Sequence, residues 1–135
     1  MDFVDIEEMV GFNLPETYKK LIEHYPAHFR RVCDTRLLYK SLDEIYEANR
    51  IVQAAEYGEQ LADEFHSWPD YHFVIGDSGC GDWYVLVTND DELEERVVFW
   101  DHETGRFSEL WPTLYNCLDS HYEFFHAEGN TGSRL

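Results

Sequence analysis

The chain is poor in base. Its 135 residues carry 10 Lys and Arg against 28 Asp and Glu, a net charge of −18. Nucleic-acid affinity comes from cationic side chains that release phosphate counterions, so a surface this acidic is not expected to bind nucleic acid directly. Anionic lipid surfaces are disfavoured for the same reason. Long apolar runs are missing too: nothing approaches the roughly 20 residues of a membrane span. Met1 to Val10 hold four acids and no base, the opposite of a secretory leader's basic start. Cysteine is scarce. Cys33, Cys80 and Cys117 stand at wide spacings with no CxxC pair, which excludes a zinc ribbon and a redox dithiol. Reduced thiols in a soluble, cytoplasmic protein are the expectation.

What the chain does have is core material. The apolar fraction is 44% and the aromatic fraction 16%, enough to exclude disorder despite the charge. The length suits one domain, able to bury about two-thirds of its unfolded surface without staples. The acidity is uneven. Residues 1–67 hold 14 acids and seven bases (−7), residues 68–135 hold 14 acids and three bases (−11).

Periodicity predicts helices first and strands later. Asn13 and Glu16 form a capping-box-like pair with Pro15 in the first turn, and Leu14, Tyr18, Leu21, Ile22 and Tyr25 follow helical spacing up to Pro26. Residues 27–40 form the only basic stretch. Ser41 and Glu44 make a second capping box. Leu42, Ile45, Tyr46, Asn49, Val52 and Ala55 mark one face of the helix that follows, with Gly58 as its stop and a short helical piece over 59–67. The period then becomes extended. Strands are predicted over 71–75, 83–88 and 96–100, with a short fourth over 106–108. Gly76 to Asp82 (GDSGCGD) is a tight turn requiring positive φ at Gly79 or Gly81. Asn89 to Glu95 is an acidic loop and Asp101 to Gly105 a turn. Trp111, Leu114, Leu118, His121, Tyr122 and Phe125 predict a closing helix opened by Pro112-Thr113, before a flexible tail over 129–135. The fold class expected is α+β: N-terminal helices, a central antiparallel sheet of about four strands, and a C-terminal helix packed on the sheet.

This order of signals resembles the SUKH superfamily, the Smi/Knr-like domain. Its opening helix motif is matched by Leu14-Pro15-Glu16-Thr17-Tyr18-Lys19-Lys20-Leu21. Its central strand, glycine-rich turn and second strand are matched by Phe73 to Leu86, its next strand by Val97-Val98-Phe99-Trp100-Asp101-His102-Glu103, and its closing helix loosely by Thr113 to Leu118. Tyr25-Pro26-Ala27-His28 departs from the family's usual continuation of the first helix. The resemblance covers about residues 12–120 and makes residues 1–128 a single Smi/Knr-like domain. It implies a non-catalytic binding domain, like bacterial immunity proteins that neutralise a toxin or fungal regulatory interaction proteins.

The chemistry candidates are weaker. A phosphate-cradling loop would bring Lys and open a helix, whereas GDSGCGD is flanked by Asp77 and Asp82 and precedes a strand. Cys80 sits among acids, which raise a thiol's pKa. Cys117 and His121 are four apart, His24 and His28 are separated by Pro26, and no local spacing supplies three convergent metal ligands. A hydrolase would need His72, Cys80, Asp82 and His102 to converge.

The expected function is therefore protein binding without catalysis, metal or cofactor: an immunity-type protein neutralising a basic toxin, a nuclease being one such kind, through an acidic surface. The expected contact residues are Asp77, Asp82, Trp83, Asp90, Asp91, Glu92, Glu94, Glu95, Asp101 and Glu103. Exposed strand aromatics would anchor the partner. The expected state is a monomer or weak homodimer. A regulatory or scaffold protein acting through self-association stands second, and the hydrolase last.

Overall fold

A computed structural model describes residues 1–25, 37–89, 92–114 and 116; the side chains at 89 and 92–95 lie outside that description. The predicted helix beyond Leu114, the tail, Asp90, Asp91 and most of the basic stretch fall outside it as well.

Helix α1 (Phe3–Val10) opens on a reciprocal capping box. Asp2 accepts from the Asp5 N–H and Asp5 accepts from the Asp2 N–H, and Gly11 closes the helix at φ 87°. This helix precedes the first one that the periodicity predicts. Helix α2 (Glu16–Glu23) corrects the expected cap: its N-cap is Pro15, with no side-chain capping bond, so Asn13 lies outside the helix. Helix α3 (Leu42–Gln53) begins as predicted, with Ser41 Oγ accepting from the Glu44 N–H at 3.1 Å. It ends five residues before Gly58, because Ala54 turns extended (ψ 142°) and a 3₁₀ helix over Ala55–Gln60 replaces the last turn; of the helical piece expected over 59–67, residues 61–67 form turns and bends instead. Packing explains the early stop. The 3₁₀ segment delivers Tyr57 against Trp68 and Trp100, at ring distances of 5.8 and 5.7 Å.

Strands β1 (His72–Asp77), β2 (Trp83–Asn89), β3 (Glu92–Asp101) and β4 (Arg106–Trp111) form one antiparallel meander in the order β1-β2-β3-β4. Two expectations are corrected. The acidic stretch 89–95 is largely ladder, with Asn89 opposite Glu92, because the buried pairing of Val85 with Val98 and Leu86 with Val97 continues outward along both strands. Trp111 ends β4 opposite Val97 instead of opening a helix, and Leu110 is the extra residue of a β-bulge. Thr113 Oγ1 then accepts from the Asn116 N–H at 3.0 Å, a bond of the N-cap type.

Cross-strand neighbours share a face. One face carries Phe73, Leu86 and Val97 and receives Phe12 and Tyr18, whose rings meet Phe73 edge-on at 6.4 and 5.5 Å. The other carries Trp83, Trp100 and Phe107 and receives Tyr57, Phe65 and Trp68. Both faces are thus covered at the centre, and Val85, Leu86, Val87 and Thr88 are all buried. The large hydrophobics exposed among the described residues are Met1, Val4, Ile51 and Leu110, none of them aromatic. Trp83, Tyr84, Phe107 and Trp111 are half-buried against the core rather than fully exposed.

Candidate functional site

Hairpins of an antiparallel meander alternate between its ends. The β1–β2 turn (78–82) and the β3–β4 turn (102–105) share one end, and the β2–β3 connection lies at the other. This separates the ten expected contact residues into two groups. Asp77, Asp82, Trp83, Asp101 and Glu103 gather at the two-turn end; Glu92, Glu94 and Glu95 belong to β3 near the far hairpin, and Asp90 and Asp91 lie between the strands outside the described residues. Six strand steps separate the ends, roughly 20 Å.

The two-turn end is organised by its own polar groups. Asp77 Oδ1 accepts from the Gly79 N–H at 2.8 Å and its Oδ2 from the Tyr39 hydroxyl at 2.5 Å. Gly79 (φ 83°) and Gly81 (φ 100°) both take the left-handed conformation, which allows the chain to turn back within five residues. Ser78 Oγ accepts from the Cys80 N–H at 3.1 Å and donates to Asp82 Oδ2 at 3.1 Å. Asp82 Oδ1 reaches across to the second turn, accepting from the His102 N–H at 2.9 Å and from His102 Nδ1 at 2.6 Å. Asp101 Oδ1 accepts from the Glu103 N–H at 2.8 Å. Asp77, Gly79, Gly81, Asp82 and Trp83 line an open depression of about 430 Å³. Trp83 is half-buried at its rim, and its indole N–H donates to the Tyr57 hydroxyl at 2.6 Å.

The electrostatics follow from these contacts. Desolvation pushes the Asp82 carboxyl up, but the bonds from the His102 N–H, the His102 ring and Ser78, together with the His102 charge, outweigh it and hold Asp82 below its ordinary range. The same bond to Asp82 raises His102 above its ordinary value of 6.5; desolvation opposes it, and the charges of Asp82, Glu103 and Asp101 add to the rise. Half-burial raises the Tyr57 phenol although the Trp83 N–H bond opposes it. Complete burial, then the nearby Tyr25 and Tyr39, push the Tyr18 phenol far up.

Asp82, Asp101 and His102 bring ligand-type atoms within 4.8 Å of one another. Asp82 Oδ1 already accepts twice from His102, so the trio is built as a hydrogen-bonded junction between turns. The hydrolase set does not assemble. His72 begins β1, with its ring 5.0 Å from Phe107 and Nδ1 2.9 Å from the Asp70 carbonyl, while Asp82 and His102 lie beyond the other end of that strand. Cys80 is exposed on its turn.

The bond between Asp82 and His102 was missed because a separation of 20 residues carries no local signal. The meander supplied the clue, since its first and third turns must share an end. No helix among the described residues is long and apolar enough to cross a membrane. The chain matches no curated protein and no solved structure. A family match does cover residues 2–120, reaching from α1 past β4 and spanning the two-turn end. The helices, the four-stranded antiparallel sheet and this match agree: the chain belongs to the SMI1/KNR4 family (SUKH-1), which is consistent with an immunity-type binding domain.

Proposed function

We propose that this domain is an immunity-type protein that neutralises a basic toxin domain, and that the two-turn end is where it binds. The observation that carries this reading is the depression lined by Asp77, Asp82 and Trp83, with Asp101 and Glu103 at the adjoining β3–β4 turn, in a chain with a net charge of −18. Long-range attraction to a basic partner would raise the association rate, by roughly 10–10³-fold at low salt. Packing at the Trp83 rim would slow release. The net charge opposes self-association, so light scattering should report a monomer at working concentrations.

The test begins with the purified chain as bait at about 50 mM and about 500 mM salt, conditions that span the screening of exposed charges. The captured basic protein is then produced and its association rate measured against two variants. One neutralises Asp77, Asp101 and Glu103; the other neutralises Asp90, Asp91, Glu92, Glu94 and Glu95. The first should lose most of the salt-dependent rate and of the toxin protection. If the second loses it and the first does not, the binding end is the far one, between β2 and β3, and the two-turn assignment fails. If neither rate depends on salt, charge steering is wrong.

A further inference from the structure

We propose that His102 and Asp82 form a proton-gated clasp between the two turns, which withdraws Asp82 from partner contact while His102 is charged. The proposal concerns regulation of the binding end just described and rests on that reading.

The geometry is specific. Both donors of one histidine, its backbone N–H and Nδ1, converge on a single oxygen of Asp82 at 2.9 and 2.6 Å. The second Asp82 oxygen is held by Ser78 Oγ. The Asp82 side chain is 15% exposed and that of His102 45%, so the carboxylate is largely covered while the ring stays open to solvent. Gly81, at φ 100°, lies against the ring: a Cβ there would stand 3.4 Å from His102 Cγ, in ordinary contact.

The groups around the clasp are acidic on every side described. The first turn contributes Asp82, and the end of β1 contributes Asp77, held by Tyr39. The second turn contributes Asp101 and Glu103. The segment packed under Gly105 is Gln60-Leu61-Ala62, without charge; beside it Glu64 pairs with Arg106. His102 is therefore the group that titrates near neutrality within a field of carboxylates.

With the proton on, an imidazolium neutralises Asp82 and ties the turns together by charge-assisted bonds. With the proton off, that bond weakens and the end regains a full negative charge. A histidine raised in the folded state stabilises fully below its unfolded value, and the contribution is lost as pH rises through the raised folded value. Asp82, held low, keeps its side of the clasp until pH falls through its depressed value. A basic partner should therefore bind more tightly above the His102 midpoint than below it.

Ring-nitrogen NMR titrations of the wild type, Asp82→Asn and His102→Gln test the clasp on the free protein. The expected His102 midpoint lies above 6.5 and falls back toward it in Asp82→Asn. The amides of residues 79–83 should shift with the same midpoint in the wild type and lose that transition in His102→Gln. A midpoint that Asp82→Asn leaves in place overturns the clasp. The second arm measures deca-arginine binding at about pH 5.5 and about pH 9, either side of the imidazole range. One unit charge at the site predicts about threefold tighter binding at the higher pH, and this difference should shrink in His102→Gln. A clasp confirmed by NMR with no deca-arginine binding at either pH overturns instead the assignment of this end as the partner surface.

Discussion

Strands β1 and β4 are both edge strands of six residues in the same sheet, and they could hardly differ more. The middle four residues of β1 are buried, whereas four of the six in β4 are exposed and the other two only partly covered. The difference lies in what closes each edge. Asn49, fully buried on α3, donates from Nδ2 to the Val74 carbonyl at 2.9 Å and accepts at Oδ1 from the Val74 N–H at 2.8 Å. A side-chain amide thus takes the place of a neighbouring strand's peptide. One step along, at the β1 bulge, the Tyr39 N–H donates to the Ile75 carbonyl at 2.8 Å. Among the described residues no further strand pairs β4 on its outer side. An edge strand can therefore be as interior as a central one when a helix supplies the missing hydrogen bonds.

The sharpest way to break this contrast is Asn49→Leu. It removes three hydrogen bonds, the third from Nδ2 to the Ile45 carbonyl, and strands both Val74 backbone groups in the core. At about 1–3 kcal/mol per orphaned group, the expected loss in urea unfolding is about 3–5 kcal/mol. A loss under about 1 kcal/mol would mean that packing alone seals β1.

Next in size is Gly105→Ala, at the start of β4. A Cβ there would lie 2.6 Å from Ala62 N and 2.8 Å from the Gln60 carbonyl oxygen, on a residue with φ 71°. Left-handed strain and overpacking together predict about 2–4 kcal/mol. Gly79→Ala is the control: its φ is 83° with nothing within 4 Å, so strain alone should cost about 1–2 kcal/mol. Equal losses at the two sites would show that the close approach at Gly105 is unimportant.

Tyr39→Phe probes the far end of β1, where its hydroxyl donates to Asp77. A partly buried bond to a carboxylate predicts a loss of about 1–2 kcal/mol in thermal or urea unfolding. Smallest of all, Leu110→Thr on exposed β4 should stay within about ±0.5 kcal/mol. A larger loss there would show that β4 is more tightly held than its exposure suggests.

The edges also explain what could be read in advance. The run Tyr71 to Ile75 announces a strand because it is rich in aromatic and β-branched residues, and Ser41 announces α3 because capping is local. Asn49 appeared on the apolar face of its helix, a polar residue in a core position, but its partner lies 25 residues away and nothing local names it. Helix α1 was missed although Asp2 and Asp5 carry the capping-box spacing, with Asp standing where Glu or Gln is usual. The acidic run at 89–95 looked like a loop because charge is depleted in strands, yet the ladder begun by buried neighbours overrode that preference. At the candidate site, the residue types were legible and their grouping was not. The alternation of hairpin ends parts Asp82 and Asp101 from Glu92 by the length of the sheet.

The Asn49 seal also gives the sheet a direction of growth. Among the described residues no strand lies on the outer side of β4, whereas at β1 the Val74 N–H and C=O are already consumed inside the molecule. Two copies joined β4 to β4 would present only sealed edges, so strand addition would halt at a pair and could not run on into a fibre.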